Sequence, residues 1–451
     1  MSRLHDKILI TCIAAALTLG AAASADPPAR VGRLNLVQEG VSFRPAEAEE
    51  WTAAALNYPL TAGDSLWTEE GSLAEAHVGS TALRLGPRSQ MSVRELDDQR
   101  VRVDLPLGLL NVRLRELDSG ESFQVDTPTV SVLLLVPGSY RIEVLDGGDT
   151  RATVSEGEIQ VSCGGLYYPV RARQAAFARS AVLSLEIRTA PAADRWDRWC
   201  AERDRREDRL ASLRYVPRAM TGCEDLDWYG SWSETTDYGP VWIPSSLPAG
   251  WAPYRFGHWV WVQPWGWTWV DNMPWGFAPF HYGRWALSRG HWVWVPGSIR
   301  YRPVYAPALV AFTGAGPGDA VRNGRTGWFP LGPGEAYVPP YSASRAYIQK
   351  VNVRHVQVGE HQAGDARPRA APKPERELAP AARDWIGQLS RAIESGSKAA
   401  SKREAARNTP QMKRDSKDIA AHNAQKRLKV MKKKRLPNGQ WVWVEEWVAE
   451  K

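Results

Sequence analysis

A mostly β protein in two modules is what this sequence predicts, and three observations carry that reading. Alternation with period two runs through Arg100-Val101-Arg102-Val103-Asp104-Leu105 and through Tyr140-Arg141-Ile142-Glu143-Val144, the pattern of half-buried strands. Turn-forming pairs punctuate the same region at Gly63-Asp64, Gly86-Pro87 and Asp146-Gly147, where Gly tolerates positive φ and Asp caps reversals. Further on, 13 of the 22 tryptophans fall between Trp228 and Trp294, in W-x-W units whose two indoles share one strand face.

Residues 1–25 read as a secretory signal. Arg3 and Lys7 precede the apolar stretch Ile8–Ala23, and Ala23-Ser24-Ala25 forms an A-x-A site that places cleavage between Ala25 and Asp26. The stretch is short and Ala-rich for a membrane span. The mature chain is therefore expected to be exported, to the periplasm or cell envelope, with no transmembrane span after cleavage; a retained anchor is the alternative.

Residues 30–190 read as a β-sandwich or β-roll, since nothing there keeps a helical period beyond two turns. Residues 193–214 read as a charged linker helix with Trp196, Trp199, Cys200, Arg203, Leu210 and Leu213 on one side. Asp194/Arg198 and Glu202/Arg206 are expected as surface pairs. Acidic residues nearly balance the basic ones there, which argues against nucleic acid as a partner. Cys12 leaves with the signal, and of the remaining Cys163, Cys200 and Cys223 the expected disulfide is Cys200–Cys223, worth roughly 3 kcal/mol. Cys163 is expected as a small buried thiol.

Residues 215–358 read as a Trp-rich repeat β domain. Gly257-His258-Trp259-Val260-Trp261-Val262 recurs as Gly290-His291-Trp292-Val293-Trp294-Val295, predicting an antiparallel sheet assembled from near-copies of one hairpin. Each indole buries roughly 200 Å², and soluble proteins leave only about a few hundred Å² of contiguous apolar surface open. Most rings must therefore be core. The best-placed remainder, Trp267 and Trp269 followed by Asp271 and Asn272, is the candidate aromatic ligand surface for sugar rings or peptides. His258, His281 and His291 each stand alone, without a second ligand at i+2 or i+4, so no metal is assigned. No catalytic or nucleotide-binding fingerprint is present, and no enzyme activity or cofactor is expected.

Residues 359–428 read as a disordered basic linker with a short amphipathic helix at Asp384–Ile393. The chain carries a net charge of +7, yet 14 Lys or Arg lie between Lys398 and Arg435 against Glu404, Asp415 and Asp418, so the rest is mildly acidic. Lys426, Arg427, Lys429, Lys432, Lys433, Lys434 and Arg435 form a candidate anion-binding tail for envelope polymers or lipid head groups. Residues 429–451 read as a β-hairpin turning at Asn438-Gly439, with Trp441-Val442-Trp443-Val444 repeating the central phrase. A hairpin alone is marginal in water, so this one is expected to dock on another sheet or a partner.

Several blocks carry a resemblance. L-T-A-G-D-S-L (Leu60–Leu66), G-S-L-A-E-A-H-V-G-S-T-A-L-R-L-G-P-R-S (Gly71–Ser89), F-Q-V-D-T-P-T-V-S-V (Phe123–Val132), P-G-S-Y-R-I-E-V (Pro137–Val144) and V-S-E-G-E-I-Q-V (Val154–Val161) resemble a FecR-like domain in that family's order. E-D-L-D-W-Y-G-S-W (Glu224–Trp232), Y-G-P-V-W-I-P (Tyr238–Pro244), R-P-V-Y-A-P-A-L-V-A-F (Arg302–Phe312) and G-W-F-P-L-G-P-G-E-A-Y-V-P-P-Y (Gly327–Tyr341) resemble the Trp-rich extension, of unknown function, that follows such domains in some exported bacterial proteins. The resemblance implies an envelope-side β module. In its best-known setting the family passes a signal from an outer-membrane receptor to a sigma factor through a membrane helix, whereas the only apolar helix here reads as cleavable. The expected role is non-enzymatic protein–protein interaction or scaffolding with envelope proteins or anionic polymers. A glycan-binding module and a FecR-like regulator are the rivals, and the oligomeric state is not legible.

Overall fold

Hydrogen-bonded strands dominate the computed structural model, which describes residues 26–313, 327–355, 428–435 and 441–448. The chain divides into two compact units, residues 1–366 and 367–451. The expected signal and Ala25, the Asp384–Ile393 helix, Lys426, Arg427 and the Asn438-Gly439 turn lie outside the described residues.

Seventeen strands between Gly32 and Thr189 form two sheets that share one strand. One sheet runs Ser184–Thr189, Gln174–Arg179, Thr150–Glu156, Gly138–Val144, the second half of Arg100–Leu114, Thr81–Leu85, Ala74–Val78, Gly32–Val37 and Pro59–Leu60. The other runs Leu166–Arg171, Glu158–Cys163, Ser131–Leu134, Ser122–Asp126, the first half of Arg100–Leu114, Ser89–Leu96, Ser65–Thr68, Val41–Arg44 and Thr52–Ala53. Pairings are antiparallel except Ser122–Asp126, which lies parallel to Arg100–Asp104. The shared strand changes sheets at Gly108, whose φ is +94° and where a Cβ would come within 2.5 Å of the Ser89 Cα. Only glycine lets the two strands approach so closely in that conformation.

Alternation works as expected in Arg100–Leu105: Val101, Val103 and Leu105 are buried and Arg100 is exposed. It fails in Tyr140–Val144, where Arg141 and Glu143 are buried as well. A helix covers that outer face. Arg195–Glu207 begins with a capping box, Asp194 accepting from the Asp197 N–H and Asp197 reciprocating. Both carboxylates also hold Arg141 Nη1, at 2.7 and 3.1 Å. The expected surface pairs are thus replaced: Asp194 is a cap, and Glu202 pairs with Arg205 instead of Arg206. A 3₁₀ turn, Ala211–Arg214, ends this segment.

Among the described residues the Trp-rich region contains three small sheets where one was expected. Gly230–Thr235, Gly239–Pro244, His291–Val295 and Arg284–Ser288 form a four-stranded sheet; Gly257–Val262 pairs with Gly266–Asp271, and Val310–Phe312 with Trp328–Pro330. The two G-H-W-V-W-V copies therefore sit in different sheets. Indoles meet across the strands as Trp259/Trp269, Trp261/Trp267 and Trp285/Trp294. Gly257 packs under the Trp269 ring, where a Cβ would come within 2.7 Å of Cζ2. Seven of the 13 rings (Trp242, Trp251, Trp265, Trp269, Trp275, Trp285 and Trp294) are buried, in edge-on and tilted contacts such as Trp242/Trp275 at 5.0 Å and Trp251/Trp285 at 5.4 Å. The rings are chiefly core.

The second unit contains an antiparallel pair, Leu428–Arg435 with Trp441–Val448. Lys429, Lys432, Lys433, Lys434 and Arg435 all lie on its first strand. Among the described residues no helix is long and apolar enough to cross a membrane.

Candidate functional site

The first module and the Trp-rich region meet across a seam of buried charge. Glu75 and His77 sit on one face of strand Ala74–Val78, and all five residues of that strand are buried. Glu75 Oε2 accepts from Arg84 Nε and from Arg203 Nε, both at 2.5 Å, and its Oε1 accepts from Arg203 Nη2 at 2.7 Å. Arg84 continues to Asp204 at 2.7 Å, and Arg115 reaches Glu207 at 3.1 Å and Asp208 at 2.7 Å. On the other side His77 Nδ1 lies 3.2 Å from Glu224 Oε1, which also accepts from Arg33 Nη1 at 2.9 Å. Arg33 bonds Asp225 as well. Three stretches far apart in sequence are tied by this one network.

Position sets the protonation states. Burial alone would lower the His77 pKa, but Glu224 and Glu207 overcome it and push the imidazole up to about 10. Burial would raise the Glu224 carboxyl, yet His77 and Arg33 hold it down to about 2. Glu75, His77 and Glu207 bring ligand atoms within 4.8 Å of one another, a spacing that suits a metal ion. Their carboxylates are already neutralised by Arg84, Arg203 and Arg115, and a charged imidazole completes the balance. The chemistry of this set is that of a structural ion network.

A second grip lies beside it. Asn57 Nδ2 donates to the carbonyls of Asp271 and Met273 at 2.9 and 2.7 Å, and Arg33 Nη2 to that of Pro274 at 2.8 Å. The backbone of the D-N-M-P turn is thus held by the first module. Val31 is part of the aromatic core, Ala29 O accepts from the Tyr305 N–H at 2.7 Å, and Asp26 binds the Ser344 N–H and Oγ, both at 2.6 Å. Ser344 caps the helix Arg345–Asn352.

Beside the seam opens a cleft of about 380 Å³. Val78, Ala219, Tyr282 and Val304 form apolar walls, with Asp98, Glu116, Asp118, Glu121, Arg30, Arg302 and Lys350 around them. Arg302 binds Asp118 and Glu121 at 2.9 and 2.5 Å. Glu116 and Lys350 make no salt bridge among the described residues.

The structure disperses the sequence-predicted aromatic surface. Trp269 and Asp271 are buried and bond each other, Nε1 to Oδ2 at 3.0 Å, while Asn272 is exposed. Asp271 also accepts from Met273 N, and burial pushes its carboxyl up to about 8. Trp267 is half-buried and meets Trp261 edge-on at 5.6 Å; Trp261, 54% exposed, is the open ring of that hairpin. The expected disulfide is corrected too. Cys163, Cys200 and Cys223 are all free and buried. Cys200 faces Arg84 and Glu75 under the helix, whereas Cys223 belongs to the aromatic core, so the two thiols serve different packings. His281 is buried against Phe277 and Tyr305, its Nδ1 2.8 Å from the Ala306 carbonyl, and burial lowers its pKa to about 3. His258 and His291 are exposed. Asp64 and Asp126 each have their own partners, the Thr61 and Ala46 amides for one and Arg102 for the other.

The class defined by this architecture is a two-sheet β module joined, through a helix and a buried ion network, to an aromatic β region. Residues 223–335 match a family of unknown function, DUF6600. No curated protein matches the sequence. Two crystal structures, at 2.50 and 1.65 Å, of a "putative anti-sigma factor" from Parabacteroides distasonis ATCC 8503 are similar at 14% and 13% identity, each with a TM-score of 0.26 over 28% of this chain and 60% of that one. The chain thus spans about three fifths of the solved chains it matches.

Proposed function

We propose that this is a non-enzymatic, exported protein of the cell envelope, in which a FecR-like module and the Trp-rich region act as one body that holds other envelope proteins. The observation that carries the reading is the cleft beside the seam. Both regions line it, its volume suits a peptide segment or small ligand, and Glu116 and Lys350, which make no salt bridge among the described residues, offer opposite charges to a partner. Photo-crosslinking residues placed at Glu116 and Lys350 in growing cells, with Glu202 on the exposed helix face as control, test it. Adducts from the two cleft positions in the envelope fraction, and none from Glu202, are expected. A protein that stays in the cytosolic fraction, or cleft positions that give no adduct, would overturn the reading.

A second reading, glycan binding, is favoured by one observation, the open Trp261 ring beside Trp267. Titrating chitooligosaccharides or peptidoglycan fragments while following indole fluorescence tests it. Saturation that Trp261→Ala abolishes supports stacking there, and flat curves to millimolar concentration count against it.

A further inference from the structure

A sheet ends in strands whose outer N–H and C=O groups lack partners, and proteins blunt such edges with proline, charge or shortness. The two sheets of the first module have four outer strands. Pro59–Leu60 and Thr52–Ala53 are two residues long, and Leu166–Arg171 carries Pro169, which cannot donate. Ser184–Thr189 differs. It has six residues without proline, glycine or bulge, and it pairs on one side with Gln174–Arg179 and on the other with nothing described. All of it except Leu185 is exposed.

We infer that this edge pairs with the same strand of a second copy, antiparallel about a twofold axis through Ile187. The charges select that register. With Ile187 opposite Ile187 of the second copy, Glu186 faces Arg188 and Arg188 faces Glu186, so an isologous interface satisfies both ions twice. Shifting the register one or two residues one way sets Glu186 against Ile187 or against itself, and the other way sets Arg188 against Ile187 or against itself. Within one copy the two side chains bond each other at 2.5 Å while more than half exposed. An ion pair this open to water is worth little, so exchanging it across the axis costs little. Apolar groups lie along the same edge. Leu185 packs partly on the sandwich core, Ile187 is 37% exposed, and the preceding turn presents Val182 and Leu183, 67% and 57% exposed. Leu183 holds a φ of +45°, a conformation that bulky residues rarely adopt outside constrained turns. Pairing would join two nine-stranded sheets into one and extend the apolar row of Leu185 and Ile187 across the axis.

The inference stands apart from the envelope reading and from whatever enters the cleft. Light scattering after size exclusion of the full mature chain, at tens of micromolar, is expected to give twice the chain mass. Glu186→Arg sets Arg against Arg188 and is expected to give the monomer, as is Arg188→Glu, with the far-UV circular dichroism spectrum unchanged because both sites are exposed and the melting point lowered only by the lost association. The double exchange Glu186→Arg/Arg188→Glu restores complementarity and is expected to restore the dimer. A wild-type monomer at every concentration, a dimer that survives both single reversals, or a double exchange that stays monomeric would overturn it.

Discussion

The core of the first module and that of the Trp-rich region bury different matter: three aromatic rings among 35 buried residues in one, twelve among 22 in the other. Small aliphatic groups fill space only when long strands line them up, so the first module needs seventeen strands and yields a regular ladder. Indoles fill space by themselves. The Trp-rich region manages with short strands in three sheets, and its rings anchor loops by donating N–H groups to backbone carbonyls, Trp242 to Leu226 and Trp294 to Tyr282, both at 2.9 Å. The seam between the two cores is chiefly ionic, with Asn57 and Arg33 also donating to the backbone carbonyls of Asp271, Met273 and Pro274.

Breaking each device separately sharpens the contrast. Trp294→Ala removes a fully buried ring and its hydrogen bond, and is expected to cost about 3–5 kcal/mol in denaturant unfolding. Leu110→Ala in the first module should cost less, about 2–3 kcal/mol, near the low end for a buried leucine. Glu75→Gln leaves Arg84, Arg203 and His77 without their shared carboxylate, with an expected loss of about 3 kcal/mol. The wild type should melt in one calorimetric transition, and Glu75→Gln should separate it into two, one for each core. A single shifted transition would show that the seam is not what couples them.

Proton linkage distinguishes the seam from the aromatic core by pH. His77 has a raised folded pKa, so its contribution is complete below about 6.5, the unfolded value, and is lost as pH rises through about 10. The urea midpoint should therefore fall between pH 7 and 10, and His77→Gln, less stable at pH 6, should flatten that decline. Asp271 also has a raised pKa, reaching about 8. Its neutral form fits the core, so its contribution is complete below about 4 and lost as pH rises through about 8. Asp271→Asn should reduce the slope between pH 5 and 8 and leave the His77 part, which runs from about 6.5 to about 10. The smallest effect expected is that of Trp261→Ala, within about 0.5 kcal/mol, because this ring is mostly open to solvent.

Much of this was legible in the chain because the physics was local. Val101, Val103 and Leu105 announce a strand and its inner face, and the area of 13 indoles announces that most must be buried. What stayed hidden depended on distant partners. In A-E-A-H-V, Glu75 and His77 are buried because Arg203 and Glu224 arrive well over a hundred residues later. Arg141 and Glu143 looked solvated for the same reason, since their cover begins at Asp194. Trp267 and Trp269 looked equivalent, yet Tyr254 and Trp328 pack on Trp269, and Trp267 ends beside the open Trp261. The cysteine pairing failed because spacing carries no information about which packing each thiol joins.

Asp26 to Arg33 are the earliest of the described residues to be made, and some of their partners are among the latest. The strand Gly32–Val37 finds Pro59–Leu60 and Ala74–Val78 early, but the partners at Pro274, Tyr305 and Ser344 leave the ribosome more than two hundred residues later, so the segment ahead of that strand is fully held only once the chain has emerged as far as the helix that Asp26 helps to cap. Any chaperone that shields this protein in transit has its task defined by that interval. A bulky fusion placed just ahead of Asp26 would interfere with closure at the final stitch.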